Sequence, residues 1–218
     1  MFLPFPEFLT LAAACAPTIP VATLAPLIQV ESAFNPLAIN VNGEPRVTVR
    51  ARSRAEAAAT ARRLIAQGRS VDLGLGQINN ANLAWLRLTV EEAFDPCRNL
   101  TAAARVLGDG YARAVRVEPD PQRALHTAFS IYNTGHPQRG FDNGYVAKIT
   151  LAAGRVPAMT SPPVPGSAQP IVPAAPSPPP LPPPTWDVFG RAAADGFVLR
   201  VRAPGLTTPQ PASLGDLP

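Results

Sequence analysis

The chain has 218 residues, which is room for one ordinary domain and an additional segment. Its formal net charge is +4 and comes almost entirely from arginine, and no apolar run reaches membrane-spanning length. Thirteen of the 28 prolines fall within residues 156–184, a composition that buries too little apolar surface to offset its ordering entropy. We therefore expect a folded domain over residues 1–155, an extended Pro-rich linker over residues 156–184, and a short disordered tail over residues 185–218.

The basic residues are clustered, because seven arginines and a single acid, Glu56, lie between Arg46 and Arg69. A basic face suits an anionic polymer, either nucleic acid or cell-wall glycan with its peptide carboxylates. An ordinary solvated face, with arginine in place of lysine, is the favoured interpretation, because no aromatic side chains are interleaved with these arginines. Nucleic acid is not an expected partner.

The first part of the chain is predicted to contain two helices and an irregular stretch. Residues 7–15 have the pattern of a short helix, and a second helix leads to Glu31, with Thr23 as its N-cap and Pro26 in its first turn. The Asn35-Pro36 pair ends this helix, because the residue before a proline avoids the helical conformation. Residues 38–52 are expected to be irregular.

The middle of the chain carries a capping-box pattern and a glycine-rich turn. Ser53 followed by Glu56 predicts the start of a helix that runs over residues 55–67. Gly74 and Gly76 suit neither a helix nor a strand and indicate backbone that another group approaches closely.

The remaining elements are also predicted to be helices. A short one lies at residues 82–86, and two longer ones open at Asp95-Pro96 and Asp120-Pro121, where Asp caps the helix and Pro occupies its first position. A short helix over residues 145–149 closes the domain. The predicted fold class is mainly α, with little or no β-structure.

Glu31 is the carboxylate of greatest chemical interest, because it ends an apolar helical run. A carboxyl group held there loses hydration, which raises its pKa and keeps it protonated nearer neutrality, as a general acid requires. A glutamate that points to solvent from a helix end is the alternative, and only its neighbours decide between them.

Three motifs accompany this glutamate along the helical domain: Glu31-Ser32 with Asn35-Pro36, residues 74–79 (GLGQIN), and residues 132–135 (YNTG). With the trailing Tyr145-Val146, they resemble the catalytic domain of lytic transglycosylases with a lysozyme-like fold (the goose-type or SLT domain). The resemblance covers residues 8–153. Residues 72–79, residues 95–100 and residues 15–17 (CAP) are most similar to the branch associated with type IV secretion and conjugation systems.

The resemblance implies a peptidoglycan-cleaving enzyme in which Glu31 is the single catalytic acid and base. Such an enzyme cleaves the β-1,4 bond between N-acetylmuramic acid (MurNAc) and N-acetylglucosamine (GlcNAc), and it uses the C6 hydroxyl of MurNAc as the nucleophile. The product is a 1,6-anhydro sugar. The implied location is the periplasm, although no export signal is evident at the N-terminus, and the implied partners are glycan strands and secretion-system proteins that bind the C-terminal tail.

Supporting roles follow from the same resemblance. Ser32 is expected to contact substrate near Glu31, with local capping as the alternative, and Gln77 and Asn133 are expected to line the sugar cleft. Tyr132 is expected to donate a hydrogen bond to the catalytic carboxylate. Further residues of the glycine-rich motif are expected to support the cleft or to let the glycan approach the backbone: Gly74, Gly76 and Asn79. The family more often has a bulky residue, commonly Met, where this chain has Gly76.

Two alternatives to this chemistry remain open at this point. Asp72 could activate water at the far face of the scissile sugar, which would give a lysozyme-type hydrolase, although a turn-capping role is the simpler interpretation. The domain could also be a glycan-binding scaffold that recruits secretion-system components. No cofactor is implied, and the isolated His126 and His136 do not suggest a metal site.

The chain has two cysteines, Cys15 and Cys97. An even pair is compatible with one disulfide or with two buried thiols. We expect a disulfide that ties the first helix to the helix that follows Asp95.

Overall fold

The computed structural model describes residues 2–43 and 47–155. The expected linker and tail, residues 156–184 and 185–218, lie outside the described residues. None of the helices within the described ranges has the length and apolarity needed to cross a membrane.

The described residues fold mainly into α-helices, as predicted. Their order along the chain is α1 (Phe5–Cys15), α2 (Val21–Ser32), α3 (Arg54–Ala66), α4 (Leu83–Leu86), α5 (Pro96–Ala114), α6 (Pro121–Thr134), α7 (Arg139–Asp142) and α8 (Tyr145–Ala153). The two longest, α5 and α6, pack against each other, while α2 packs against α8 and α1 packs against α5.

Local capping signals set the starts of three helices, and the structure confirms each of them. The Asp95 side chain accepts a hydrogen bond from the Arg98 amide at 3.0 Å, with proline at the first position of α5. Asp120 caps α6 in the same way. The Ser53 hydroxyl accepts from the Glu56 amide at 3.2 Å and opens α3. Each cap satisfies an amide that has no partner within its own helix.

The start predicted for α2 is wrong. This helix begins at Val21, and the Pro20 carbonyl accepts hydrogen bonds from the amides of Thr23 and Leu24, both at 2.9 Å. Pro20 therefore occupies the capping position, and Thr23 lies buried within the helix. Pro26 lies in the helix interior, where its ring removes one backbone hydrogen bond.

The stretch predicted to be irregular contains two strands of a small antiparallel sheet. The strands are β1 (Ala38–Val41), β2 (Val47–Arg50), β3 (Val71–Leu73) and β4 (Ile78–Asn79), in the order β2-β1-β3-β4. Ile39 and Val41 are buried and alternate with polar Asn40 and Asn42, which is the period-2 pattern of a strand with one face on the core. The irregular interpretation of residues 38–52 was therefore wrong, although the sheet remains a minor part of the fold.

The disulfide joins the N-terminal helix to the centre of the domain. Cys15 at the end of α1 is bonded to Cys97 in the first turn of α5, 82 residues further along the chain. Thr101 adds a hydrogen bond from its hydroxyl to the Cys15 carbonyl at 2.7 Å. The end of α1 is thus fixed to α5 both covalently and by a hydrogen bond.

Candidate active site

Glu31 lies in the last turn of α2, immediately before an unusual chain reversal. Ala33 and Phe34 both adopt left-handed backbone conformations, with φ angles of 51° and 60°. Such conformations are unfavourable for residues with a Cβ atom and persist only where the surroundings enforce them. Here the Phe34 ring contacts the Phe5 and Phe8 rings of α1, with centroids 5.8 and 4.9 Å apart. The first helix therefore holds the turn that follows Glu31.

The hydroxyl of Tyr145 donates a hydrogen bond to Oε1 of Glu31. Tyr145 is the first residue of α8 and is only 7% exposed. Burial, and then the negative charge of Glu31, raise the pKa of Tyr145 well above its ordinary value. The phenol therefore remains a neutral donor to the carboxylate at any physiological pH.

The role expected for Tyr132 is not the one that the structure shows. Its hydroxyl donates to the Gly76 carbonyl at 2.6 Å, and the hydroxyl that donates to Glu31 is that of Tyr145. Burial, followed by the charges of Glu31 and Asp72, raises the pKa of Tyr132 well above its ordinary value. Tyr132 thus lies within the electrostatic reach of both carboxylates while it fastens α6 to the glycine-rich turn.

Glu31 lines two clefts. The first has a volume of about 520 Å³, and its walls come from the sheet, α4, α5 and the end of α6. The second, about 550 Å³, lies on the side of β1 and β2 and also includes Glu31 in its lining. Polar side chains dominate the first cleft: Asn42, Asp72, Gln77, Asn79, Asn82, Asp109, Arg113, Tyr132, Asn133 and Thr134. The hydrogen-bonding side chains of the first cleft suit the polar edges of a chain of sugars.

Gln77 lines the first cleft, but its amide is already bonded within the protein. Its Nε2 atom donates to the carbonyls of Gly74 (2.8 Å) and Ala38 (3.3 Å), and its Oε1 atom accepts from Asn40 at 2.7 Å. Gln77 is 8% exposed and has a φ of 49°. Its amide therefore fastens the glycine-rich turn to β1.

The groups that approach the two glycines closely belong to the protein itself and lie on α5, on α6 and just before α5. The expectation that the glycines admit the glycan stays a prediction. A Cβ atom at Gly74 would lie 2.4 Å from both the Ala93 carbonyl oxygen and Nδ2 of Asn99. One at Gly76 would lie 2.7 Å from the Cβ atom of Ala103 and 2.9 Å from the Tyr132 hydroxyl. The bulky residue that is common in the family has no room at this position.

Asn99 is a residue of the site that the sequence interpretation missed. It is 1% exposed, its Nδ2 atom donates to the carbonyls of Leu73 (2.9 Å) and Ala93 (2.7 Å), and its Oδ1 atom accepts from the Gly76 amide at 2.7 Å. One buried side chain thus makes three hydrogen bonds to the backbone, two at the glycine-rich turn and its flank and one just before α5. A helical asparagine gives no local sign of such a role, because its partners come from elsewhere in the chain.

Asp72 lies in β3 and lines the same cleft as Glu31. The described hydrogen bonds join its carboxylate to two asparagine side chains, and a turn-capping role is not among them. Its Oδ1 atom accepts from Nδ2 of Asn79 at 2.7 Å, and its Oδ2 atom accepts from Nδ2 of Asn42 at 2.9 Å. Asn79 also caps the turn that follows it, through Oδ1 and the Ala81 amide. These contacts form a polar network across the strands at the cleft wall.

Ser32 and Asn133 lie on different sides of Glu31. The Ser32 hydroxyl donates to the Ile28 carbonyl at 3.3 Å, which is the local contact considered as the alternative, and Ser32 lines the second cleft. Asn133 is exposed in the first cleft, where its Oδ1 atom accepts from Asn143 at 2.9 Å.

Neither histidine contributes to this site. Partial burial lowers the pKa of His126, whose ring nitrogen lies 3.0 Å from the Gln122 amide on the same helix. Within the described ranges, no group of three or more His, Cys, Asp or Glu side chains has a metal-binding arrangement.

Comparison with known proteins places this geometry in a family. The model of the transglycosylase SLT domain matches residues 8–148. Protein virB1 of Agrobacterium fabrum is 39% identical over 196 residues, which are 86% of this chain and 72% of that relative. Protein virB1 of Rhizobium radiobacter is 42% identical over 160 residues, 72% of this chain and 65% of the relative.

A third relative carries a more explicit name. The type IV secretion system protein virB1 of Brucella abortus is 42% identical over 152 residues, which are 67% of this chain and 63% of the relative. This chain thus spans between 63% and 72% of the length of these three proteins. No solved structure matches it. The family match, the identities and the lysozyme-like helical fold together show that the chain belongs to the SLT-domain transglycosylases.

Proposed function

We propose that the protein is a peptidoglycan lytic transglycosylase that cleaves the MurNAc-β-1,4-GlcNAc bond and leaves a 1,6-anhydro-MurNAc end. The observation that carries this proposal is the position of Glu31. Its carboxyl group accepts a hydrogen bond from a buried phenol, and the residue lines two clefts. A glycan strand that follows both clefts places a glycosidic bond beside that carboxyl group.

The first step is a proton transfer from the Glu31 carboxyl group to the glycosidic oxygen. The bond between this oxygen and C1 of MurNAc breaks, the GlcNAc side leaves as an alcohol, and positive charge develops at C1. Glu31 is then a carboxylate. The hydrogen bond from Tyr145 is strongest in this ionised state, because a charged acceptor roughly doubles its strength.

The second step returns the proton to Glu31. The C6 hydroxyl of the same MurNAc attacks C1, its proton passes to the carboxylate, and a bond forms between O6 and C1. No water is consumed, and the enzyme ends in its starting state. One carboxyl group is sufficient because the nucleophile is already tethered to the reacting sugar, whereas most glycosidases need a second carboxylate.

A water-activating role for Asp72 would instead give a hydrolase. Asp72 and Glu31 do line the same cleft. However, each carboxylate oxygen of Asp72 already accepts a hydrogen bond from an asparagine amide of the cleft wall. Asp72 is therefore better suited to hold the cleft wall than to remove a proton from water.

The wider role that we propose is local opening of the cell wall for a type IV secretion or conjugation apparatus, in the periplasm. The support is the similarity to proteins named virB1, one of which is named as a type IV secretion system protein. We further propose that secretion-system proteins bind residues 185–218, which follow the Pro-rich stretch.

Digestion of purified sacculi tests the chemistry. The wild type and Glu31→Gln are incubated with sacculi, and the released fragments are analysed by mass spectrometry. We expect 1,6-anhydro ends from the wild type and none from Glu31→Gln, which keeps the shape of the side chain but cannot transfer a proton. Reducing ends would instead identify a hydrolase, and no release by either protein would favour the glycan-binding scaffold.

A further inference from the structure

Trp85 is a large aromatic residue in the wall of the first cleft that the proposed chemistry does not use. It is 40% exposed, although tryptophan is among the most apolar side chains by area. Its helix, α4, buries Leu83 and Leu86, each only 8% exposed, against the core. The two leucines thus provide the packing of α4 against the core, and the indole ring of Trp85 lies at the cleft surface.

The indole ring is held in a fixed orientation. Its Nε1–H group donates to Oδ1 of Asn82 at 3.1 Å. The guanidinium carbon of Arg105 lies 5.0 Å from the ring centroid, a cation–π contact that covers one face of the ring. Arg105 does not line the first cleft but faces a separate pocket between α5 and the connection from α1 to α2. One face of the ring therefore has a partner outside the cleft.

We propose that the other face of Trp85 is a stacking platform for a pyranose ring of the glycan strand, and this subsite rests on the proposed function. A β-linked pyranose carries its axial C–H groups on its faces and its polar groups at its edges. The faces suit an aromatic ring, and the edges suit hydrogen-bonding side chains. Asn82, Asp109 and Arg113 supply such side chains in the same cleft. A single rigid aromatic ring among polar side chains is better suited to bind a pyranose ring than to bind an apolar protein surface.

A fluorescence experiment tests the platform directly. The full-length chain carries Glu31→Gln, which prevents turnover, and Trp186→Phe, which leaves Trp85 as its single tryptophan. It is titrated with a peptide-free GlcNAc–MurNAc tetrasaccharide. We expect the emission maximum of Trp85 to change and its quenching by acrylamide to decrease as the sugar covers the ring.

Calorimetry with the same tetrasaccharide measures the contribution to affinity. In the Glu31→Gln background, Trp85→Ala should weaken binding roughly tenfold, which lies within the range known for aromatic stacking. Trp85→Phe should retain part of the affinity. Phe141→Ala is the matched control, because Phe141 is similarly exposed but lies outside the cleft lining. Circular dichroism shows whether each variant keeps its helices.

Two outcomes would overturn the platform. One is binding of the tetrasaccharide without any change in Trp85 emission or quenching, which would show that the sugar does not cover the ring. The other is no measurable binding of the tetrasaccharide. The proposed function fails separately, through the absence of anhydro ends in the sacculus assay, and a tryptophan that sugar protects would then indicate a glycan-binding protein.

Discussion

The two tyrosines near Glu31 give the sharpest test of the proposed active site. Tyr145→Phe removes only the hydroxyl that donates to Glu31 and preserves a buried aromatic ring. A hydrogen bond to a charged group contributes about 1.5–3 kcal/mol. If the bond acts mainly on the carboxylate formed during the reaction, its loss should reduce the turnover rate by about 10- to 150-fold. The assay is the rate at which anhydro-muropeptides are released from sacculi.

The pH dependence separates this effect from simple damage to the fold. A donor to the carboxylate favours the ionised form, so its removal favours the protonated acid. The alkaline limb of the pH–rate profile should therefore move to higher pH in Tyr145→Phe. Tyr132→Phe is the matched control, because its hydroxyl donates to the Gly76 carbonyl, and its profile should keep the wild-type position. A shifted limb in Tyr132→Phe with an unshifted one in Tyr145→Phe would refute the assignment.

Three further predictions concern the cleft wall, the disulfide and the glycine-rich turn. Asp72→Asn should reduce the rate of anhydro-product release by less than about tenfold, because the proposed proton transfer does not use Asp72. A loss of activity as complete as in Glu31→Gln would contradict this prediction. Replacement of both Cys15 and Cys97 by serine should lower the free energy of unfolding by about 4 kcal/mol, because the disulfide closes a loop of 82 residues. Urea denaturation measures this change, and an unchanged unfolding midpoint would disprove the prediction. Gly74→Ala should lower the free energy of unfolding by about 3 kcal/mol or more, because the added methyl group overlaps its neighbours and the residue has a φ of 73°. Gly108→Ala should raise it by about 0.5–1 kcal/mol, because Gly108 lies in a helix with open space around it. Equal effects of the two substitutions would contradict the packing argument.

Local signals in the sequence account for the parts of the fold that were predicted well. Asp95, Asp120 and Ser53 each cap a helix through a bond to an amide three residues further along the chain, so the sequence contains both partners. The sheet was missed because its strands have only two to four residues, too few for a strong period-2 pattern.

Local sequence patterns do not predict which of the two tyrosines donates a hydrogen bond to Glu31. Tyr145 is 114 residues from Glu31 and reaches it only because α8 packs against α2. Tyr132 also lies close enough for the charge of Glu31 to affect its pKa, so family motifs alone do not separate the two hydroxyls. Their different roles follow from which acceptor each hydroxyl meets, and that depends on the tertiary packing of three helices.

Helix α5 connects the two sides of the candidate active site, so we expect the disulfide to affect the position of Glu31. On one side, Cys97 holds α1, and the aromatic rings of α1 hold the left-handed turn after Glu31 through Phe34. On the other side, Asn99 binds the backbone of the glycine-rich turn. These two residues lie in the first turn of α5, so both walls are fixed to one point of the helix. Because Ala33 and Phe34 occupy unfavourable conformations, release of α1 would let this turn relax and Glu31 move away from Tyr145. The position of the carboxyl group that we propose to be catalytic therefore depends on a cross-link that an oxidising compartment preserves.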